Sequence, residues 1–196
     1  MDFGNLKDIF LISGYCSRLM CAGEEALKKL IETPGGKIAY CGMLTALAMI
    51  FSYVESLIPI NFGVPGIKLG LANLVVLTGL YYLRPGEVLA VSVCRILLVG
   101  FMFGSGISIL YSLAGGLLSF AVMLLLIRAD RFSQIGVSAA GGVFHNMGQL
   151  LMAMLVLRSF ALLYYAPVLM ISGALTGALM GILANRVMYI FKGKLF

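Results

Sequence analysis

Charge is what this chain has least of. Only 11% of its 196 residues are Asp, Glu, Lys or Arg, while 61% are hydrophobic; a soluble domain carries about a quarter charged and roughly half apolar residues. That scarcity excludes a water-solvated globule. Beyond the N-terminal 37 residues the acids are Glu55, Glu87 and Asp130, so no aspartate-rich motif can hold magnesium and a diphosphate. One histidine, His145, argues against a His-based metal site. The four cysteines (Cys16, Cys21, Cys41, Cys94) lack metal-ligand spacing, and two of them fall in apolar runs. They read as small fillers, not as a disulfide framework. No Gly-x-x-x-x-Gly-Lys-Ser/Thr loop occurs, which excludes ATP hydrolysis through one. Ser and Cys nucleophiles lack a base at any suggestive spacing. The expectation is no catalytic residue, no metal, no cofactor, and no enzyme activity of the chain by itself. The first apolar patch, Ile9 to Ile12, is too short for a cleavable leader.

What the chain does have is long apolar runs rich in Leu, Met, Phe, Gly and Ala. A bilayer core needs roughly 20 such residues of helix. Backbone polar groups in lipid must be satisfied within the segment, which leaves helices or closed barrels. Barrel strands alternate in polarity, and these runs do not. The fold expected is an all-α membrane protein, a bundle of about six transmembrane helices. The spans run over 38–60, 67–83, 87–103, 107–127, 135–157 and 162–191, the last exceeding one crossing and emerging near Arg186. The second is short, about 25 Å of helix, and enters through Gly63-Val64-Pro65-Gly66. Residues 1–37 form a separate cytoplasmic or interfacial segment ahead of a transmembrane domain over 38–196. Its stretch from Glu24 to Glu32 reads as a short soluble helix ended by Pro34-Gly35-Gly36.

Basic residues fix the orientation. With the N-terminus inside, the cytoplasmic segments hold Lys7, Arg18, Lys28, Lys29, Lys37, Arg84, Arg128, Arg131, Arg186, Lys192 and Lys194. The outer segments hold Lys68 and Arg158 alone. This asymmetry places both termini in the cytoplasm. It also accounts for the net charge of +6 without nucleic acid as a partner.

Polar groups inside spans are expensive and usually face a cavity or a partner. Glu55 stands near the outer end of the first span, Asn73 one turn into the second, and Arg95 midway along the third. His145, Asn146 and Gln149 lie in the outward half of the fifth, with His145 and Gln149 on one helix face. Two readings stand: a binding pocket open to the outside, or a Glu55–Arg95 ion pair that fixes packing with the amides as interhelical glue. The pocket is favoured, because intramembrane charges are so often functional. On the first helix, Ala39, Gly42 and Ala46 fall about 160°, 140° and 180° from Glu55. That small-residue stripe is either a docking surface or an internal contact. Gly173, Gly177 and Gly181, and likewise Ser108, Ser112 and Gly116, read as tight packing within the bundle.

Glu55-Ser-Leu-Ile-Pro59 and Gly66-Ile-Lys-Leu-Gly-Leu-Ala-Asn73 together resemble the signature of the bacterial Gx transporter family. Further matches are Arg95-Ile-Leu-Leu-Val-Gly100, Phe103-Gly-Ser105, Ser112-Leu-Ala-Gly-Gly116 and His145-Asn-Met-Gly-Gln149. The resemblance covers roughly 38–190, and members are often labelled heptaprenyl diphosphate synthase component I. Their architecture is similar to the substrate-binding (S) components of energy-coupling factor transporters. The resemblance implies a multi-pass protein of the bacterial cell membrane that captures a small molecule such as a vitamin. It implies Glu55, Lys68, Asn73, Arg95, His145, Asn146 and Gln149 as pocket residues. It also implies docking through Ala39, Gly42 and Ala46 onto a shared transmembrane subunit driven by ATPases. Met43 stands four residues after Ala39, so the small-residue spacing holds only from Gly42 to Ala46. The alternative is an accessory membrane subunit of polyprenyl diphosphate or quinone biosynthesis.

Overall fold

The computed structural model describes Lys29, residues 33–57 and residues 70–191. Among these the chain is all helical, without a strand: α1 (Pro34–Leu57), α2 (Leu71–Tyr82), α3 (Pro85–Phe103), α4 (Gly106–Ala129), α5 (Gln134–Leu157), a 3-10 helix (Phe160–Tyr165) and α6 (Ala166–Phe191). Five of the helical stretches are long and apolar enough to cross a bilayer, and α2 is a shorter apolar helix. Much of their surface is apolar too: Leu155 is 74% exposed, Leu175 67% and Ile171 62%. In water such a surface would drive aggregation; in lipid it is the outer wall of the protein. Two compact units divide the chain, Cys41–Asn185 with the helical core, and Met1–Tyr40 with Arg186–Phe196.

Helix ends follow local chemistry. Ser133 Oγ accepts the Gly136 N–H at 3.2 Å and so starts α5. Ser105 Oγ does the same for α4 with Ser108 N–H, at 3.3 Å. Pro85 opens α3 at a position where its missing N–H costs nothing, and the Arg84 N–H donates to Glu87 Oε2 at 3.1 Å. Replacing Ser133 by Ala removes one cap and is expected to cost about 1 kcal/mol, read as a lowered thermal unfolding midpoint.

Two expected spans differ in detail. The second begins its helix at Leu71 and runs for 12 residues, about 18 Å. Gly70 precedes it with φ at +73°, a left-handed conformation that glycine adopts without the penalty of a Cβ. The entry turn at Gly63–Gly66 and the expected start at Ile67 lie outside the described residues, as does the Glu24–Glu32 helix apart from Lys29. The last span is not one α-helix: Phe160–Tyr165 is 3-10, and α6 starts at Ala166. Pro167 explains the break, since a continuous α-helix from 162 would lose a hydrogen bond and clash at its ring.

The helices approach closely through glycine. A Cβ on Gly148 would stand 2.8 Å from Ala114 O, and one on Gly115 would stand 2.6 Å from His145 O; this joins α4 to α5. Along α6, a Cβ on Gly177 would meet Ser138 O at 2.5 Å, and one on Gly181 would meet Ile135 Cα at 2.8 Å. A Cβ on Gly142 would run into Gly173 O. Gly173, Gly177 and Gly181 therefore pack against α5, and Gly116 packs against Ile96 of α3. Close backbone approach of this kind replaces the hydrophobic drive that lipid removes.

Candidate functional site

Within Cys41–Asn185 the helices enclose a cavity of about 180 Å³, many times the space one water needs. Ser52 and Glu55 line it from the last turns of α1, and Gly70 and Asn73 from the start of α2. The second half of α3 contributes Arg95, Val99, Gly100 and Phe103, and the start of α4 contributes Ser108 and Ser112. Gly142, His145 and Asn146 line it from mid-α5, and Thr176, Gly177 and Met180 from mid-α6. The polar groups of six helices thus converge in an apolar protein. The glycine seam is part of the wall, because Gly142 and Gly177 face both the α5–α6 contact and the cavity.

The hydrogen bonds separate positioning from reception. Glu55 Oε1 accepts the Gly70 N–H at 2.7 Å, placing a carboxylate at the N-terminus of α2, where the helix dipole favours it. Arg95 Nη1 donates to Ser52 Oγ at 3.3 Å, which ties α3 to α1. Asn146, only 5% exposed, donates from Nδ2 to Leu169 O at 2.8 Å. It satisfies a backbone carbonyl of α6 while also lining the cavity. Asn146→Ala is expected to cost about 0.5–1.5 kcal/mol by removing a hydrogen bond between α5 and α6, since Leu169 O keeps the Ser172 hydroxyl at 3.0 Å, and the loss is measured as a lowered midpoint of thermal unfolding. Gln149 Nε2 lies 3.1 Å from His145 Nε2; an amide nitrogen can only donate, so the ring nitrogen accepts there. The rings of Tyr53 and Phe103 meet at 5.1 Å and join α1 to the end of α3.

Of the residues expected from sequence, Glu55, Asn73, Arg95, His145 and Asn146 share this cavity. Gln149 touches it only through His145, and Lys68 lies outside the described residues. Ser108 and Ser112, expected in helix packing, also line the cavity. Ser52 and Thr176 also line it, beyond the residues expected from sequence. A signal existed for Ser52, which falls three residues before Glu55 and so on the same helix face. On α1, Ala39, Gly42 and Ala46 are each exposed, and nothing lies within 4 Å of a Cβ built on Gly42. The described residues therefore give no internal packing role to Gly42.

A family model described as heptaprenyl diphosphate synthase component I matches residues 44–187. The chain belongs to that family. Members of the heptaprenyl diphosphate synthase component I family carry the name of one part of a synthase, and the match spans every residue of the cavity. No curated protein matches the chain, and no solved structure does.

Proposed function

We propose that this protein is a membrane-embedded solute-capture component, which binds a small polar molecule for uptake and performs no chemistry on it. The observation that carries the reading is the cavity: a carboxylate, a guanidinium, an imidazole, amides and hydroxyls surround one hollow inside a protein that is otherwise apolar. Packing alone does not require a hollow, and an isoprenoid chain would be matched by an apolar channel. With the basic residues facing the cytoplasm, the last turn of α1 and the α3–α4 turn lie outward, so the cavity opens away from the cell interior. Energy for release comes from a partner subunit and its ATPases, docked on the α1 face that carries Ala39, Gly42 and Ala46. The protein resides in the bacterial cell membrane.

A second reading rests on the family description: an accessory membrane component of a heptaprenyl diphosphate synthase, with a separate partner component carrying out catalysis. One experiment separates the two. Protein purified from cells into lipid nanodiscs is extracted, and its bound small molecules are identified by mass spectrometry. A stoichiometric water-soluble compound supports capture; a prenyl chain refutes it. Co-purifying proteins in the same preparation identify the partner as ATPase or synthase.

A further inference from the structure

The Arg95 guanidinium makes one described hydrogen bond, from Nη1 to Ser52 Oγ. Its Nε is buried and has no hydrogen-bond partner, and among the described residues no hydrogen bond reaches Nη2. Nε–H and Nη2–H share one edge of the planar group and point the same way. That edge is the one that meets two oxygens of a carboxylate or phosphate in parallel. Among the described residues no carboxylate takes that place. Glu55, the acid that lines the same cavity, receives the Gly70 N–H at 2.7 Å and acts on the Arg95 charge through space. A buried donor left without a partner costs free energy, and a ligand that carries paired oxygens satisfies Nε–H and Nη2–H together once the side chain turns that edge to the hollow it lines.

We propose that the Nε–Nη2 edge of Arg95 seats an oxyanion of the bound molecule, a carboxylate or a phosphate. The inference rests on the solute-capture reading and narrows its substrate class to acids. Ser52 acts as the positioning residue, holding Nη1 so that the opposite edge turns to the ligand. The hydroxyls of Ser108 and Ser112 face the same hollow and can add donors to the oxyanion. Glu55 favours a ligand whose remainder is neutral or donates hydrogen bonds, since a second anionic group would be repelled there.

The test measures the thermal midpoint of the protein in phosphatidylcholine nanodiscs. Sodium acetate, sodium phosphate and the neutral probe nicotinamide are titrated against sodium chloride at matched ionic strength. The expected result is a midpoint raised by acetate or phosphate. The half-saturating concentration then rises about 10- to 100-fold in Arg95→Gln. Arg95→Lys, which keeps the charge without the flat edge, falls between, and Ser52→Ala shows a smaller loss. If Arg95→Gln does not fold, Arg95→Lys and Ser52→Ala carry the comparison. A second arm adds phosphatidylglycerol to the nanodisc in chloride alone. An Arg95-dependent rise there assigns the oxyanion to a lipid headgroup, and its absence assigns it to a soluble acid. Oxyanion responses unchanged in Arg95→Lys, or no greater than chloride in the wild type, overturn the proposal. A response to nicotinamide alone then leaves solute capture standing, whereas silence to every probe with no extracted solute removes both.

Discussion

Gly142→Leu is expected to destroy the folded protein, lowering stability by more than about 3 kcal/mol. Even the first added carbon would collide with the carbonyl oxygen of Gly173, a backbone atom that cannot rotate away. The next contacts of Gly142 are also backbone, the Cα of Gly177 at 3.2 Å. Relief requires α5 and α6 to separate, and that breaks the Asn146–Leu169 hydrogen bond between the same two helices. The effect is read as loss of the monodisperse fraction and of the cooperative thermal transition. Gly42→Leu is the matched control, because a side chain there meets nothing within 4 Å. It is expected to change stability by no more than about 0.5 kcal/mol. A Gly142→Leu protein as stable as Gly42→Leu would show that the seam is not closed as described.

Ser112→Trp is expected to produce the opposite pattern, a folded protein that no longer binds. Ser112 lines the cavity and is part-exposed to it, so a large side chain has empty space to enter before it meets a helix. Binding should fall at least about 100-fold, equivalent to about 2.7 kcal/mol. The thermal midpoint without ligand should stay within about 4 °C of the wild type. Isothermal titration with the extracted compound gives the first quantity and scanning fluorimetry the second. Undiminished binding would place the solute elsewhere on the protein.

The membrane character and the helical runs were legible because lipid imposes a single rule, that a span be long, apolar and self-bonded. Arg95 and His145 were legible for the same reason, as ionisable side chains in the middle of long apolar runs. The hydroxyls were harder. Thr45 donates to Cys41 O and Thr78 to Leu74 O within their own helices, and Thr176, which lines the cavity, also donates to Ser172 O. A hydroxyl in a span can satisfy itself, so its presence says nothing about a hollow beside it. The glycine pattern on α6 correctly announced close packing, but the partner was not readable. Only the fold shows that Gly142 of α5 opposes Gly173, and that this seam is also a cavity wall. Asn146 was legible as polar yet ambiguous in role, and it holds both, bonding Leu169 O while lining the hollow.

The most direct test of solute capture is an experimental density map of the protein purified from cells in lipid nanodiscs. Non-protein density enclosed between Arg95, Asn73 and His145, in contact with the guanidinium edge, is the predicted result. A closed interior, with the Arg95 guanidinium lying directly on the Glu55 carboxylate and no space between α3 and α5, would contradict it.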